Sequence, residues 1–309
     1  MGAAKRWVPV IVGPTAVGKT AVAAALARVW PVTVISADSR QVYRGLDIGT
    51  AKPEAALRAK VPHVGIDLVD PGERYSAGHF ARDAARWLAE LPAERQPVVV
   101  GGTGFYVRAL ADGLFREPPL DPQRRDALRS WLRDLERVGG WAARLDPGYT
   151  AGGRQRAARA VEIALLSGRP LSWWQAHAKA EGVIEPWYVR LTVPRAVLHQ
   201  RIEARLQRML AAGWIDEVRA ALARGIAAGA PGLDAVGYRE IVRHLAGDLP
   251  SERLAGEIAA ATRRYAKRQE TWFRHQLVGY RVLTLDATDA PAALARTIVA
   301  RWRESNGER

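Results

Sequence analysis

Residues 13 to 20 read Gly-Pro-Thr-Ala-Val-Gly-Lys-Thr, a G-x-x-x-x-G-K-[ST] loop between the apolar run Val8 to Val12 and a helical pattern from Thr20 to Val29. Strand, loop and helix in that order leave little freedom of fold. The apolar run suits a strand buried on both faces of a parallel sheet, and the loop then opens at the carboxyl end of that strand. Gly13 and Gly18 let the backbone turn around Pro14-Thr15-Ala16-Val17, so that the loop's backbone N–H groups, which exclude Pro14, converge on anionic oxygens. Lys19 adds a mobile positive charge. Thr20 offers a hydroxyl to a Mg²⁺ ion bridging two phosphates, and the following helix directs the positive end of its dipole into the same pocket.

The first 115 residues alternate short apolar runs with helical patterns, as a doubly wound parallel sheet requires. Strands are predicted at Val8 to Val12, Val32 to Ser36, Val64 to Leu68 and Pro97 to Val100. Helices are predicted at Thr20 to Val29 and at Ala77 to Glu90, the second after Ser76 as N-cap. A Pro-rich turn at residues 117 to 122 then opens a stretch that reads as amphipathic helix up to Gly182: Arg124 to Val138, Trp141 to Asp146, Arg154 to Ser167 and Leu171 to Ala178. A strand returns at Trp187 to Val193. Helices follow at Ala196 to Ala212, Ile215 to Arg224, Arg239 to Leu245 and Glu252 to Arg274, then a strand at Val282 to Leu285 and a helix at Ala290 to Arg303. The expected architecture is α/β, a P-loop NTPase-like parallel sheet flanked by helices with an all-helical insertion domain. Residues 1–120 form the first part of the core, 121–182 the insertion, and 183–309 the second part with the C-terminal helices.

Composition narrows the chemistry. The 309 residues include no cysteine, which excludes disulfides, thiolate metal sites and a cysteine nucleophile, and the six histidines form no H-x-x-x-H pair. No run of about 18 apolar residues is present to span a membrane, and Met1 to Pro9 lacks the apolar stretch of a secretory leader, so a cytoplasmic protein is expected. A net charge of +14 points to a polyanionic partner, because cations that neutralise phosphates release condensed counterions. The excess is spread along the chain, and solubility alone could account for it. Clustering sharpens the reading: Arg263, Arg264, Lys267, Arg268 and Arg274 stand against the single acid Glu270, with Tyr265, Trp272 and Phe273 interleaved.

After the second strand comes Ser36-Ala37-Asp38-Ser39-Arg40-Gln41. In a doubly wound sheet the carboxyl ends of the strands border the ligand crevice, so Asp38 falls beside the phosphate loop, where a general base belongs. The plainer reading of Asp-Ser is a turn. Gly101-Gly102-Thr103-Gly104 follows another strand; its glycines allow close approach of a ligand, and the Thr103 hydroxyl can donate to a developing oxyanion or a bridging phosphate oxygen, or the run is only a tight turn. Arg201, Arg205 and Arg208 share one helix face, either as a solvated stripe or with one fork directed at a diphosphate. His63 reads as a structural hydrogen-bonding group. Arg264, Arg268 and Trp272 combine phosphate-seeking charge with a ring on which a base can stack, against the ordinary role of Trp in packing.

Jointly, the Gly13 to Thr20 loop, Asp38 to Tyr43, Asp47 to Pro53, Gly101 to Gly104, Gln155-Arg156-x-x-Arg159, Val236-Gly237-Tyr238 and Lys267-Arg268-Gln269-x-Thr271-Trp272-Phe273-Arg274 resemble the bacterial tRNA dimethylallyltransferases over nearly the whole chain. The resemblance implies transfer of a dimethylallyl group from dimethylallyl diphosphate to N6 of the adenosine 3′ of the tRNA anticodon, with Mg²⁺ as cofactor. It implies Asp38, Thr103, Lys19 and Arg205 as catalytic residues, Gly13 to Thr20 as the diphosphate site and Thr20 as metal ligand. As contacts to the tRNA anticodon loop it implies Asp38, Ser39, Arg40, Gln41, Thr103, Gln155, Arg156, Arg159, Gly237, Tyr238, Lys267, Arg268, Trp272 and Arg274. One departure is Gly152-Gly153-Arg154, where the family commonly carries an Asn-Asp pair. On residues alone, two rivals remain: a small-molecule kinase, which would use the same loop and an Asp at the second strand, and a nucleotide-gated RNA-binding protein.

Overall fold

A computed structural model describes residues 5–150 and 152–307; the reading of Met1 to Pro9 falls partly outside them. In chain order the elements are β1 (Arg6–Val12), α1 (Lys19–Leu26), β2 (Val32–Ser36), α2 (Ala55–Lys60), β3 (His63–Val64), α3 (Ala77–Glu90), β4 (Gln96–Gly101) and α4 (Gly104–Ala111). Then come α5 (Pro122–Asp134), α6 (Val138–Leu145), α7 (Arg154–Ser167), α8 (Leu171–His177) and β5 (Ile184–Thr192). The last are α9 (Arg195–Ala211), α10 (Trp214–Ala223), α11 (Tyr238–Leu245), α12 (Ser251–Gln276), β6 (Val282–Asp286) and α13 (Pro291–Gly307). The chain divides into two compact units, one formed by the segments up to Ala111 and from Val183 onward, the other by Asp112–Gly182.

In the larger unit the described strands form one parallel sheet in the order β3-β2-β4-β1-β5-β6. The interior strands are apolar on both faces because helices cover both: Val8 and Val10 to Val12 in β1, and Val98 and Val99 in β4, have essentially no exposure. One core packs Ile11, Val34, Val98 and Val189 of the sheet against Val22 and Leu26 of α1, Leu198 and Ile202 of α9, and Leu294 and Ile298 of α13. Each such side chain contributes about 1.5–3 kcal/mol by leaving water. Trp302 closes the lower edge, stacked on Trp7 at 4.4 Å and edge-on to Trp187 at 5.6 Å. Ser76 caps α3, its Oγ accepting the His79 N–H at 3.2 Å.

The third strand is shorter than Val64 to Leu68. It ends at Val64 because Gly65 (φ +85°) and Asp67 (φ +57°) turn left-handed, a conformation incompatible with a strand. A Cβ on Gly65 would lie 2.7 Å from the Ser36 carbonyl oxygen. The N–H groups of Asp67 and Leu68 bond instead to the carbonyls of Gln41 and Val42, in the loop after β2. Helices α2 and α4 are absent from the sequence reading; α2 buries no residue, so no apolar period marks it.

The Asp112–Gly182 unit is built from α5 to α8 around Leu132, Val138, Ala142, Ala157, Ala160 and Val161. Its contact boundary lies ahead of the Pro-rich turn because the 112–120 segment joins the unit's other end: Phe115 bridges Lys179, and the Arg116 and Ala180 N–H groups donate to Ala178 and Leu114 at 2.7 Å. Asp121 caps α5 through the Arg124 N–H at 2.8 Å. Glu162, nearly buried, gathers Arg125, Arg129 and Arg159; their cations hold its carboxyl below the usual range against the opposing effect of burial.

Candidate active site and phosphate cradle

β1 ends where the loop begins, and Ala16 takes a left-handed conformation (φ +63°), a turn of the kind that fans N–H groups into an anion-binding concavity. The N-terminus of α1 follows at Lys19. Lys19 Nζ donates to the carbonyls of Gly13 and Pro14 at 2.9 and 2.8 Å, so the cation is held over its own loop. The loop opens on a cleft of about 610 Å³ that Asp38, Gly102, Arg205, Tyr265 and Gln269 also line. Burial lowers the Lys19 pKa to about 8; the Asp38 carboxylate opposes the shift and Arg205 adds to it. Burial likewise lowers the pKa of Arg205, with Asp38 opposing and Arg208 reinforcing. Lys19, Asp38 and Arg205 therefore lie within one another's fields.

Asp38 is both cleft residue and turn residue: Oδ1 accepts the Arg40 N–H at 2.9 Å, which fixes its carboxyl without removing it from the cleft. Thr103, after the neighbouring strand β4, bonds to the residues on either side of Asp38. Its Oγ1 accepts the Ser39 N–H at 3.0 Å and donates to Ser39 Oγ at 3.3 Å, and its own N–H donates to the Ala37 carbonyl at 3.2 Å, joining the β2 and β4 ends. Tyr265 reaches the same hydroxyl from α12; burial first, then the Asp38 charge, push its phenol up to about 12. Gly104 opens α4 beneath the Trp272 ring, which a Cβ there would meet at 2.4 Å.

The two arginines left open by sequence separate. Arg201 is committed to backbone, donating to the Val17 and Ala287 carbonyls at 2.8 Å each, so it braces the loop. Arg205, one turn on, shares the field of Asp38 and Lys19. Lys267, Arg268 and Arg274 are exposed on α12, Trp272 is partly exposed, and the Arg268 guanidinium lies over the Tyr265 ring at 5.6 Å from its centroid. Arg40 is partly buried, donating to the Pro231 carbonyl at 3.0 Å. In the smaller unit Gln155 and Arg156 are exposed at the start of α7, whereas Arg159 is paired with Glu117 and Glu162.

Two of the residues expected to contact RNA, Tyr238 and Gly237, are buried in this structure. Tyr238 has no exposed surface and its hydroxyl donates to Glu217 Oε1 at 2.6 Å; burial and that carboxylate raise its pKa. Gly237 is buried against Trp214, whose ring lies 1.9 Å from where its Cβ would stand. Gln41, half-buried, lines the cleft with its amide tied to framework groups, Oε1 accepting from Ser36 Oγ at 2.8 Å and Nε2 donating to the Thr50 and Ala51 carbonyls at 3.3 and 3.1 Å. His63 places Nδ1 2.6 Å from the Val61 carbonyl. The sequence places Tyr265 and Gln269 in the basic aromatic cluster and its motif but gives neither a place in the cleft; they fall four residues apart on α12, and a Gln among the buried positions Ile258, Ala261, Ala266 and Phe273 is the signal for the second.

Among the described residues no group of three or more His, Asp or Glu side chains could hold a metal by itself. Thr20, exposed at the start of α1 and lining the cleft, supplies a lone hydroxyl. That sparse oxygen set fits Mg²⁺, which is ordinarily held through substrate phosphates and retained water.

Residues 41–276 match the family model described as IPP transferase, and residues 7–64 the model described as isopentenyl transferase. The chain is 45% identical over 294 residues to the tRNA dimethylallyltransferase of Halorhodospira halophila, covering 91% of this chain and 94% of that one. It is 46% identical to that of Methylibium petroleiphilum, covering 94% and 93%. Among solved structures, a full-length tRNA isopentenylpyrophosphate transferase from Bacillus halodurans superposes with a TM-score of 0.70 at 32% identity, over 98% of this chain and 99% of that one. A eukaryotic dimethylallyltransferase acting on tRNA shares the fold, with a TM-score of 0.81 at 24% identity over 97% and 80%. The phosphate cradle, the glycine-rich strand end and these likenesses, which run almost from end to end, lead to one assignment: the chain belongs to the IPP transferase family of tRNA dimethylallyltransferases.

Proposed function

We propose that this protein transfers a dimethylallyl group from dimethylallyl diphosphate to N6 of the adenosine immediately 3′ of the anticodon in tRNA, releasing diphosphate. One observation carries the reading: a carboxylate, Asp38, lines the same cleft as the phosphate loop, and the basic aromatic helix α12 lends Tyr265 to that cleft. A kinase needs the first part of that arrangement but has no use for the cationic outer face of the helix. In the reaction the N6 lone pair forms a bond to C1 of the allyl group while the C1–O bond breaks, its electron pair leaving on diphosphate. Asp38 takes the N6 proton, and the Thr103 hydroxyl donates to the bridging oxygen as it gains charge.

An allylic carbon leaves through a cation-like transition state, so charge builds on the departing oxygens. Lys19, Arg205, the N–H groups that the loop leaves open and the α1 dipole meet that charge with groups already in position. Mg²⁺ bound through Thr20 and the diphosphate would neutralise further leaving-group charge. Lys267, Arg268, Arg274 and Trp272, with Ser39 and Arg40, and Gln155 and Arg156 of the helical unit, contact the RNA; Arg159 does so only by exchanging a carboxylate partner for phosphate. The target base must leave its stack to reach Asp38, which a single-stranded anticodon loop makes inexpensive. Among the described residues no helix is long and apolar enough to cross a membrane; a tRNA substrate supports a cytoplasmic site of action.

The test is incubation with unmodified tRNA, Mg²⁺ and either labelled dimethylallyl diphosphate or γ-labelled ATP. Label entering RNA from the prenyl donor supports the reading. Label from ATP appearing in a small molecule would establish the kinase instead, and RNA retention with no transfer would leave a binding protein.

A further inference from the structure

Helix α12 reaches the phosphate cradle through one buried side chain for which the reaction above has no role. Gln269, 7% exposed, accepts the Thr15 N–H on Oε1 at 2.8 Å and donates from Nε2 to the Gly102 carbonyl at 2.9 Å. The amide orientation follows from its partners, since a backbone N–H only donates and a carbonyl only accepts. One partner belongs to the phosphate loop, the other to the glycine-rich end of β4. Gly102 admits the contact because it lacks a side chain: a Cβ there would stand 2.4 Å from Gln269 Nε2 and 3.5 Å from Lys19 Nζ.

The two tied segments carry opposite halves of the proposed chemistry. Thr15 lies in the loop that grips the diphosphate, and Gly102 precedes Thr103, the donor to the bridging oxygen. We infer that Gln269 is a positioning residue that sets the spacing between the diphosphate cradle and the Thr103 hydroxyl. It also withdraws the Thr15 N–H from the ligand, so the loop presents its remaining donors in one arrangement. Hydrogen bonding, not volume, does this: an apolar side chain of equal size fills the space but leaves the buried Gly102 carbonyl and the partly buried Thr15 N–H without their partner, free to draw apart. A carboxylate sets lone pair against lone pair at Gly102 and brings negative charge into an anion site.

The inference rests on the diphosphate reading of the cradle, and inorganic diphosphate is therefore the probe. Calorimetric titration of the full chain with inorganic diphosphate and Mg²⁺ is compared for the wild type, Gln269→Met and Gln269→Glu, alongside single-turnover transfer and tRNA affinity. Gln269→Met should weaken diphosphate binding about 10-fold, the size of one lost buried hydrogen bond, and slow transfer by more than that, leaving the tRNA dissociation constant within about twofold. Gln269→Glu should bind diphosphate more weakly still. If Gln269→Met matches the wild type in diphosphate binding and transfer while only its melting temperature falls, the residue is packing and the inference is wrong. Should both variants lose their near-ultraviolet circular dichroism, Gly102→Ala displaces the same amide and must show the same losses. A wild-type protein that ignores diphosphate would overturn the reading of the cradle itself, an outcome separate from the behaviour of the variants.

Discussion

Glu217 anchors the 47–49 loop and Tyr238 through four hydrogen bonds, and its removal has a size that can be worked out. From α10 its carboxylate accepts the N–H groups of Asp47, Ile48 and Gly49 at 2.5, 2.7 and 3.2 Å and the Tyr238 hydroxyl at 2.6 Å. In Glu217→Ala the three amides, in a partly exposed loop, can turn to water and lose a few tenths of a kcal/mol each. The Tyr238 hydroxyl, wholly buried, cannot, and carries the full penalty of about 1.5–3 kcal/mol for a charge-assisted bond. The expected destabilisation is about 3 kcal/mol, read as a lower urea midpoint at unchanged slope. Thr50, Ala51 and Pro53 of the same loop line the cleft, so kcat/KM for prenyl transfer should fall by at least about tenfold, mostly through KM. Tyr238→Phe should cost about 1 kcal/mol in the wild type and close to nothing in the Glu217→Ala background, because the bond is already gone. A Glu217→Ala protein within about 0.5 kcal/mol of the wild type, or strict additivity with Tyr238→Phe, would refute the anchoring argument.

Asp38→Asn keeps an oxygen to accept the Arg40 N–H, so the turn survives; single-turnover transfer should fall about 10²–10⁴-fold with tRNA affinity little changed, and a loss under tenfold would remove Asp38 as base. Arg268→Ala should weaken tRNA binding and reduce the slope of log K against log salt by about one unit, measured by filter binding across a salt series. Lys19, with its pKa lowered to about 8, loses its charge as pH rises through that value in the free protein, so diphosphate binding must take up a proton above it and affinity should fall by up to about tenfold per pH unit; a flat titration between about pH 7 and 9.5 would contradict this. For folding the sign is opposite: the unfolded chain holds that proton up to its ordinary value of 10.5, so this group's contribution to stability rises with pH between about 8 and 10.5, observable as a difference from Lys19→Met.

The legible parts of the fold are those specified by local chemistry. β2, α3 and α7 stand at their expected residues because apolar runs, a Ser76 cap and a Gly168 stop mark their ends. α2 was illegible since nothing in it is buried, and the third strand was overdrawn since the apolar letters of residues 64–68 conceal two left-handed residues. The positions of Asp38 and Thr103 at adjacent strand ends are legible from the apolar runs that precede them. Tyr238 misled for a physical reason: an aromatic after glycine suits a contact surface and a buried hydroxyl anchor equally, and only the presence of Glu217 distinguishes them.

What the sequence by itself determined is the phosphate cradle, since a loop of this pattern between an apolar strand and a helix needs only its own backbone to form an anion site. Which distant groups complete that site was decided by tertiary structure alone. Arg201 bracing Val17, Gln269 bridging Thr15 to Gly102, and Glu217 holding the 47–49 amides each depend on segments far apart in the chain meeting at hydrogen-bond distance. A side chain's own neighbours in sequence carry no record of such meetings, because packing of the whole sheet and its helices brings them about.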